Sequence, residues 1–250
     1  MYLASQKKMR NYLVALLVLF SIHAKSQVLI TLLLGDKLNS DRIEFGLEGG
    51  INWAKIDGFE TSSFARKWNL GFYFNIKTRE NWSVYTGVLV KSNLGVKNLT
   101  TGDLGTLGID EIKNENGDLV AGNYSNKINT FMVPLLLRRN FKNQTYIAFG
   151  PQFGVNYQSW IEFNSDIENF DVIVKHYNTD LINKIDAGFT VATGYRMMRG
   201  KGWTIGAKYY RGFVDVYKDI SGTKNRSFFV NLCIPIGVGD KDILDKSKGK

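Results

Sequence analysis

Cysteine, proline and histidine are scarce in this chain, and an apolar run long enough to cross a bilayer as a helix is missing. Cys233 is the only cysteine, so no intramolecular disulfide can form. Its apolar surroundings read as those of a small residue packed in a strand, not of a nucleophile. With three prolines and no serine-rich stretch there is no linker, and the body of the chain reads as one domain, an ordinary size for an all-β barrel. A membrane helix needs about 20 apolar residues. The runs Tyr12 to Ile22 and Val28 to Leu34 are both shorter, and His23, Lys25, Ser26 and Gln27 break them apart. One-sided charge is lacking too. The formal net charge is +9, but lysines and arginines are scattered among aspartates and glutamates, whereas nucleic-acid binding needs basic residues clustered on one face. A nucleic-acid partner is therefore not expected.

What is present begins with an export leader. Lys7, Lys8 and Arg10 precede the apolar run, and small residues follow in Ala24-Lys25-Ser26, the three-part pattern of a secretory signal. Cleavage after Ser26 is expected, which assigns residues 1–26 to the leader and lowers the net charge of the mature chain to about +5. Residues 27–42 then read as a short periplasmic segment, 43–238 as the barrel and 239–250 as a polar tail.

Period-two alternation of β-branched and aromatic residues marks eight strands: Ile43 to Ala54, Trp68 to Lys77, Trp82 to Ser92, Lys127 to Arg138, Tyr146 to Gln158, Lys184 to Tyr195, Trp203 to Gly212 and Arg226 to Val238. Each is about the 9 to 11 residues that a tilted strand needs to cross a hydrocarbon core. The connections at 78–81, 140–145 and 198–202 are short, while those at 56–67, 93–126, 159–183 and 214–225 are longer. In an up-and-down barrel alternate connections share a rim, so every long one falls on one side, as in outer-membrane barrels. Asn116-Gly117, between Glu111-Ile112-Lys113 and Leu119-Val120, suits a tight primed turn. It predicts that the third and fourth strands run on beyond the membrane as a ribbon.

Alternation alone does not say which face is outside, since a soluble lipocalin-like barrel has the same period. Trp53, Trp68, Trp82 and Trp203 all fall at strand ends and in the apolar phase, which predicts a girdle at the membrane interface. The opposite phase holds many glycines together with Glu44, Glu48, Lys77, Lys91, Arg138, Asp186 and Lys208. Glycine relieves crowding in a narrow barrel filled by side chains. Charges there must pair, because a lone buried charge costs several kcal/mol. The fold class predicted is all-β, an eight-stranded antiparallel up-and-down transmembrane β-barrel with its apolar face toward lipid. Eight strands enclose no open channel, so a diffusion porin is disfavoured.

Four segments, in order, resemble the PorT-like outer-membrane β-barrel family: Phe45-Gly46-Leu47-Glu48-Gly49-Gly50-Ile51-Asn52, Val133-Pro134-Leu135-Leu136-Leu137, Phe149-Gly150-Pro151-Gln152-Phe153-Gly154 and Lys208-Tyr209-Tyr210-Arg211-Gly212. The resemblance spans about residues 43–236 and implies an eight-stranded barrel of Gram-negative bacteria, some of whose members are linked to protein secretion. It brings no catalytic residues. One departure is that such barrels usually finish on an aromatic residue, whereas here a polar tail follows the last strand.

A serine nucleophile needs a base within hydrogen-bond reach, and beyond the leader the one histidine is His176, in the same connection as Ser159, Ser165, Glu162 and Asp166. Loops of this size hold such residues by chance. The Asn114 to Asp118 cluster lacks the spacing and the final glutamate of a calcium loop. No catalytic residue, cofactor or metal is expected. The sequence thus predicts an outer-membrane protein with a structural or interaction role through its long external loops, in contact with outer-membrane lipid and with room for a protein partner at those loops. The alternatives are a lipid-modifying enzyme built on His176 and a soluble binding barrel.

Overall fold

The computed structural model describes residues 38–61, 63–167, 170–200 and 202–236. The predicted leader, most of the 27–42 segment and the polar tail lie outside the described residues. In chain order the strands are β1 (Ile43–Ile56), β2 (Ala65–Arg79), β3 (Trp82–Lys97), β4 (Asn123–Asn140), β5 (Thr145–Ile167), β6 (Phe170–Tyr177), β7 (Ile185–Arg196), β8 (Thr204–Asp215) and β9 (Lys224–Pro235). Short helices α1 (Thr101–Thr106) and α2 (Met197–Gly200) lie in connections. Neighbours run β4-β3-β2-β1-β9-β8-β7-β5, and β4 pairs again with β5, so eight strands close a ring. Closure removes free strand edges, the condition for a sheet to sit in lipid. β6 stands outside the ring, paired with β5 alone.

The described ends, residues 38–45 and 236, cluster as a unit apart from 46–235. Within it the Asn39 carboxamide accepts from Phe45 N at 2.8 Å and donates to Ile236 O at 2.8 Å.

In the larger unit the alternation resolves the two faces. Phe153 is 49% and Ile147 47% exposed, and Phe149, Val191, Ile205 and Val230 are likewise open on the outer surface. Glu48 at 1% and Lys208 at 5% are sealed inside. A water-soluble protein does not expose a continuous apolar band of this extent. The lipocalin-like alternative, which would bury these residues, is therefore overturned.

The inside is not glycine and charge alone. Tyr73, Tyr85, Leu136, Tyr146, Ala148, Ala192 and Cys233 pack together at one level. A larger apolar cluster, with Leu94, Ile128, Met132, Ile161 and Phe229 among its members, fills the end that bears the long connections. Tyrosine and glycine are matched. A Cβ on Gly194 would lie 2.6 Å from Tyr146 Cε1, and one on Gly206 would lie 2.4 Å from the Tyr146 hydroxyl. The missing side chains of β7 and β8 are thus the space that the Tyr146 ring occupies.

Three local expectations need correction. The register of β3 on β4 shifts between Leu89 and Ser92, so Val90 and Lys91 both face outward. One extra residue reverses every later side chain. The predicted ribbon also stops early. β3 and β4 do extend to Lys97 and back to Asn123, but α1 follows at Thr101. The Asn116-Gly117 turn is a separate small hairpin with one bridge, Lys113 to Leu119. There Gly117 N donates to Asn114 O at 3.0 Å, and only Gly117, at φ +87°, has positive φ. That is a turn followed by a left-handed glycine, not a primed turn. Finally, the 159–183 connection is largely strand. β5 continues to Ile167 and pairs with β6, Trp160 opposite Tyr177 and Glu162 opposite Lys175.

Candidate functional site

Glu48 on β1 organises the lumen. Its carboxylate takes Lys208 Nζ from β8, the Tyr85 hydroxyl from β3 and Asn231 Nδ2 from β9. Lys208 Nζ also lies 3.5 Å from the Tyr85 oxygen and 4.8 Å from the centre of its ring. β3 and β8 are each two strands from β1 in the ring, so these contacts bridge the interior. Burying both ions is tolerable because each gains further polar partners. Cys233 Sγ lies 3.8 Å from the Tyr85 hydroxyl, closing the cluster on one side.

The remaining candidate charges do not join it. Asp186 is buried and accepts from Asn225 Nδ2 at 2.9 Å. Arg138 is buried with its guanidinium stacked 3.6 Å from the Tyr146 ring centre, and its Nε donates to Asn140 Oδ1 at 3.1 Å. Both are balanced by neutral groups instead of the opposite charges expected. Glu44 is half-buried near the start of β1, and Lys77 is exposed at the short-turn end of β2. Lys91 departs from the expected placement altogether: it stands on the outer surface, its ammonium 4.0 Å from the centre of the Trp68 ring. The bulge in β3 is the reason. Of the four tryptophans expected at the interface, Trp68 and Trp203 are about half exposed and Trp53 and Trp82 partly so. Trp53 lies against Phe228, with ring centroids 6.1 Å apart.

Above the lumen the long connections form a cap. The Asp103 carboxylate in α1 accepts from Glu60 N at 2.7 Å, Thr61 N at 3.2 Å and Thr100 N at 3.0 Å. The first two of these join the first connection to the second, and a reciprocal Thr100–Asp103 capping box starts the helix. Phe59 meets Tyr217 edge-on at 5.7 Å, and Asn178 Nδ2 donates to the Tyr217 hydroxyl at 3.1 Å. All four connections are therefore tied together. Within the cap, Ile109, Ile112, Tyr124, Ile161, Phe163 and Val174 line a cleft of about 320 Å³ that Asp110 and His176 also border.

On the ribbon beyond the ring, Glu162 accepts from Lys127 Nζ, from Trp160 Nε1 at 3.0 Å and from Asn164 Nδ2 at 3.2 Å. Burial alone would raise its pKa, but these bonds outweigh it and hold the carboxyl down at about 2.

The residues weighed for catalysis are not assembled. His176 pairs with Ile161 and Ser165 with Val172, four residues or about 13 Å apart along the strand. The Ser165 hydroxyl donates to Ala121 O, and the Ser159 hydroxyl accepts from Asn126 Nδ2 at 3.2 Å. Among the described residues no cluster of three or more His, Cys, Asp or Glu is placed to hold a metal ion.

Sequence reasoning missed Tyr85, Asn231 and Asp103. Tyr85 and Asn231 lie in the inward phase, which puts them on the lumen side but does not say which charge they reach. Asp103 carries only the Thr-x-x-Asp pattern of a capping box.

Solved structures similar to the chain include Ail, the attachment invasion locus protein of Yersinia pestis, in complex with the heparin analogue sucrose octasulfate. It is 10% identical, with a TM-score of 0.39 over 78% of this chain and 97% of that one. Neisserial surface protein A is 7% identical, with a TM-score of 0.36 over 77% and 96% of the two chains. The outer membrane protein OprG from Pseudomonas aeruginosa is 10% identical, with a TM-score of 0.34 over 78% and 93%. No curated protein matches the chain. A family model described as outer membrane protein beta-barrel domain matches residues 26–218, well over half the chain, and the protein belongs to that family of bacterial outer-membrane barrels.

Proposed function

We propose that this barrel is a non-enzymatic interaction protein of the outer membrane that works through its external cap. The observation that carries the reading is the combination of a bridged lumen and a tied, apolar-cored cap. Glu48, Lys208, Tyr85 and Asn231 cross the interior, so nothing is built to pass through. The cap offers the cleft beside Tyr124 and Phe163, where apolar walls and a few polar groups are the usual makings of a recognition site. The segments resembling the PorT-like family support a more specific assignment within the outer-membrane barrels, and with it a role beside a secretion apparatus.

Surface proteolysis of intact cells tests the reading. Cleavage is expected in the 98–122 and 159–184 connections and not in the short turns at 80–81 and 141–144; the reverse pattern would overturn it. The competing reading, a lipid-modifying enzyme, is supported by His176 bordering an apolar cleft. It requires His176→Ala to change the lipid profile of the membrane. An unchanged profile is expected, because neither serine hydroxyl is bonded to that imidazole.

A further inference from the structure

The outer face carries an ionic cluster that neither the lumen nor the cap explains. On three adjacent strands the registers Trp53–Phe228 and Phe228–Tyr209 set an aromatic row across β1, β9 and β8. The next outward position on each strand, two residues toward the long connections, is Lys55, Arg226 and Arg211. The registers Lys55–Arg226 and Arg226–Arg211 place these three cations side by side. Like charges directly opposite each other in a sheet are destabilising, so the row needs an anion. Asp57 supplies one, with Lys55 Nζ at 3.4 Å, Arg226 Nη2 at 3.0 Å and Arg211 Nη1 in closer contact.

One carboxylate against three cations leaves two positive charges over. Arg226 Nε is buried and has no hydrogen-bond partner among the described residues. The surroundings are apolar. Phe213, the outward residue beyond Arg211 on β8, is 62% exposed, and Phe189, opposite Arg211 on β7, is 40% exposed. Arg211 therefore rises from the apolar outer surface itself.

From this geometry we propose that Lys55, Arg211 and Arg226 bind the phosphorylated headgroup of a lipid in the outer leaflet, which takes over hydrogen bonds now made to Asp57 while that carboxylate stays beside the row as a counter-ion. Two surplus positive charges match a phosphate monoester, which carries about −1.5 to −2 near neutrality. Guanidinium groups offer the paired N–H donors that phosphate oxygens accept. An acyl chain hanging from that headgroup would lie on Trp53, Phe228 and Tyr209, so one ligand satisfies both rows. A soluble phosphate would use the first row only.

The test uses the full-length barrel, folded in detergent micelles containing equal amounts of phosphatidic acid and phosphatidylcholine with identical acyl chains. Lipids retained per protein are counted by native mass spectrometry. One phosphatidic acid in excess over phosphatidylcholine is expected for the natural chain; equal retention would overturn the site. Arg211→Gln with Arg226→Gln should cut the preference roughly thirtyfold, while the double lysine variant keeps most of it. The same preference in the glutamine pair would overturn the assignment. Asp57→Asn should tighten retention, since a competitor is removed, whereas weaker retention by a folded Asp57→Asn barrel would refute the counter-ion role. Heat-dependent gel mobility confirms that each variant has folded. Inorganic phosphate should not displace the lipid, and displacement would overturn the lipid as occupant.

Discussion

Lys208 shows most plainly what a single residue does in this barrel. It is a buried ammonium whose acceptors are the Glu48 carboxylate and the Tyr85 oxygen. Lys208→Ala leaves Glu48 buried against Tyr85 and Asn231 with no cation, a loss of about 3 to 5 kcal/mol for a broken buried pair. Urea unfolding in lipid vesicles, followed by tryptophan fluorescence, should show the midpoint fall. The double variant Glu48→Gln, Lys208→Met should recover much of it, because no uncompensated charge remains. A double variant as unstable as the single one would mean that the cluster is held by shape and not by charge. Both ions were readable as inward-facing from strand phase. Tyr85 as the third partner was not, because phase says which face a residue occupies and not how far its side chain reaches across. Lys91 defies strand phase for a different reason. Val90-Lys91-Ser92 alternates in sequence like the rest of its strand, and nothing in those three residues announces a bulge.

At the scale of elements, the β5–β6 ribbon is laddered to β4 from Asn164 to Gln158, and on that ladder sits an ion pair that is sensitive to acid. Glu162 is held at about 2 by its bonds from Lys127, Trp160 and Asn164, which overcome the opposing effect of burial. A carboxyl depressed in the folded state stabilises fully above its unfolded value, about 4.3. That contribution is lost as pH falls from there through the folded value. The indole N–H resonance of Trp160, whose donor reaches Glu162 Oε2, should hold its position from neutrality down to about pH 4 and move only in stronger acid. A midpoint near the ordinary glutamate value would show that the bonds do not hold in solution. Glu162→Gln should reproduce the acid form at neutral pH and increase hydrogen exchange across 160–177, leaving the ring strands protected. The sequence places a loop here because Glu162 and Asn164 on one face and Ile161 and Phe163 on the other continue the alternation without the lipid-facing apolar set that marks the other strands. The eight ring strands are legible because lipid imposes apolar residues on most outward positions between the two rims. Outside the membrane that constraint lapses, and the pattern fades with it.

For the whole molecule, the question is whether anything passes through. Two barriers occupy the lumen: the tyrosine-rich cluster around Tyr73 and Tyr146, joined through Tyr85 to the Glu48–Lys208 bridge, and the apolar cluster under the cap. The two clusters share no member, so removing the bridge leaves both. The natural barrel in a planar lipid bilayer should show no steady conductance, and neither should the Glu48→Ala, Lys208→Ala pair, whose vacated space is still bounded by Tyr85, Tyr73 and Leu136. Deleting the bridge and also replacing Tyr73 and Tyr146 by alanine should admit ions only if the cap leaks. Stepwise currents from the natural protein would mean that the lumen opens in the membrane, and the interaction role through the cap would give way to transport. A silent natural barrel combined with a conducting cap deletion would locate the seal in the long connections. The packed and bridged lumen predicts instead that the cap deletion stays silent.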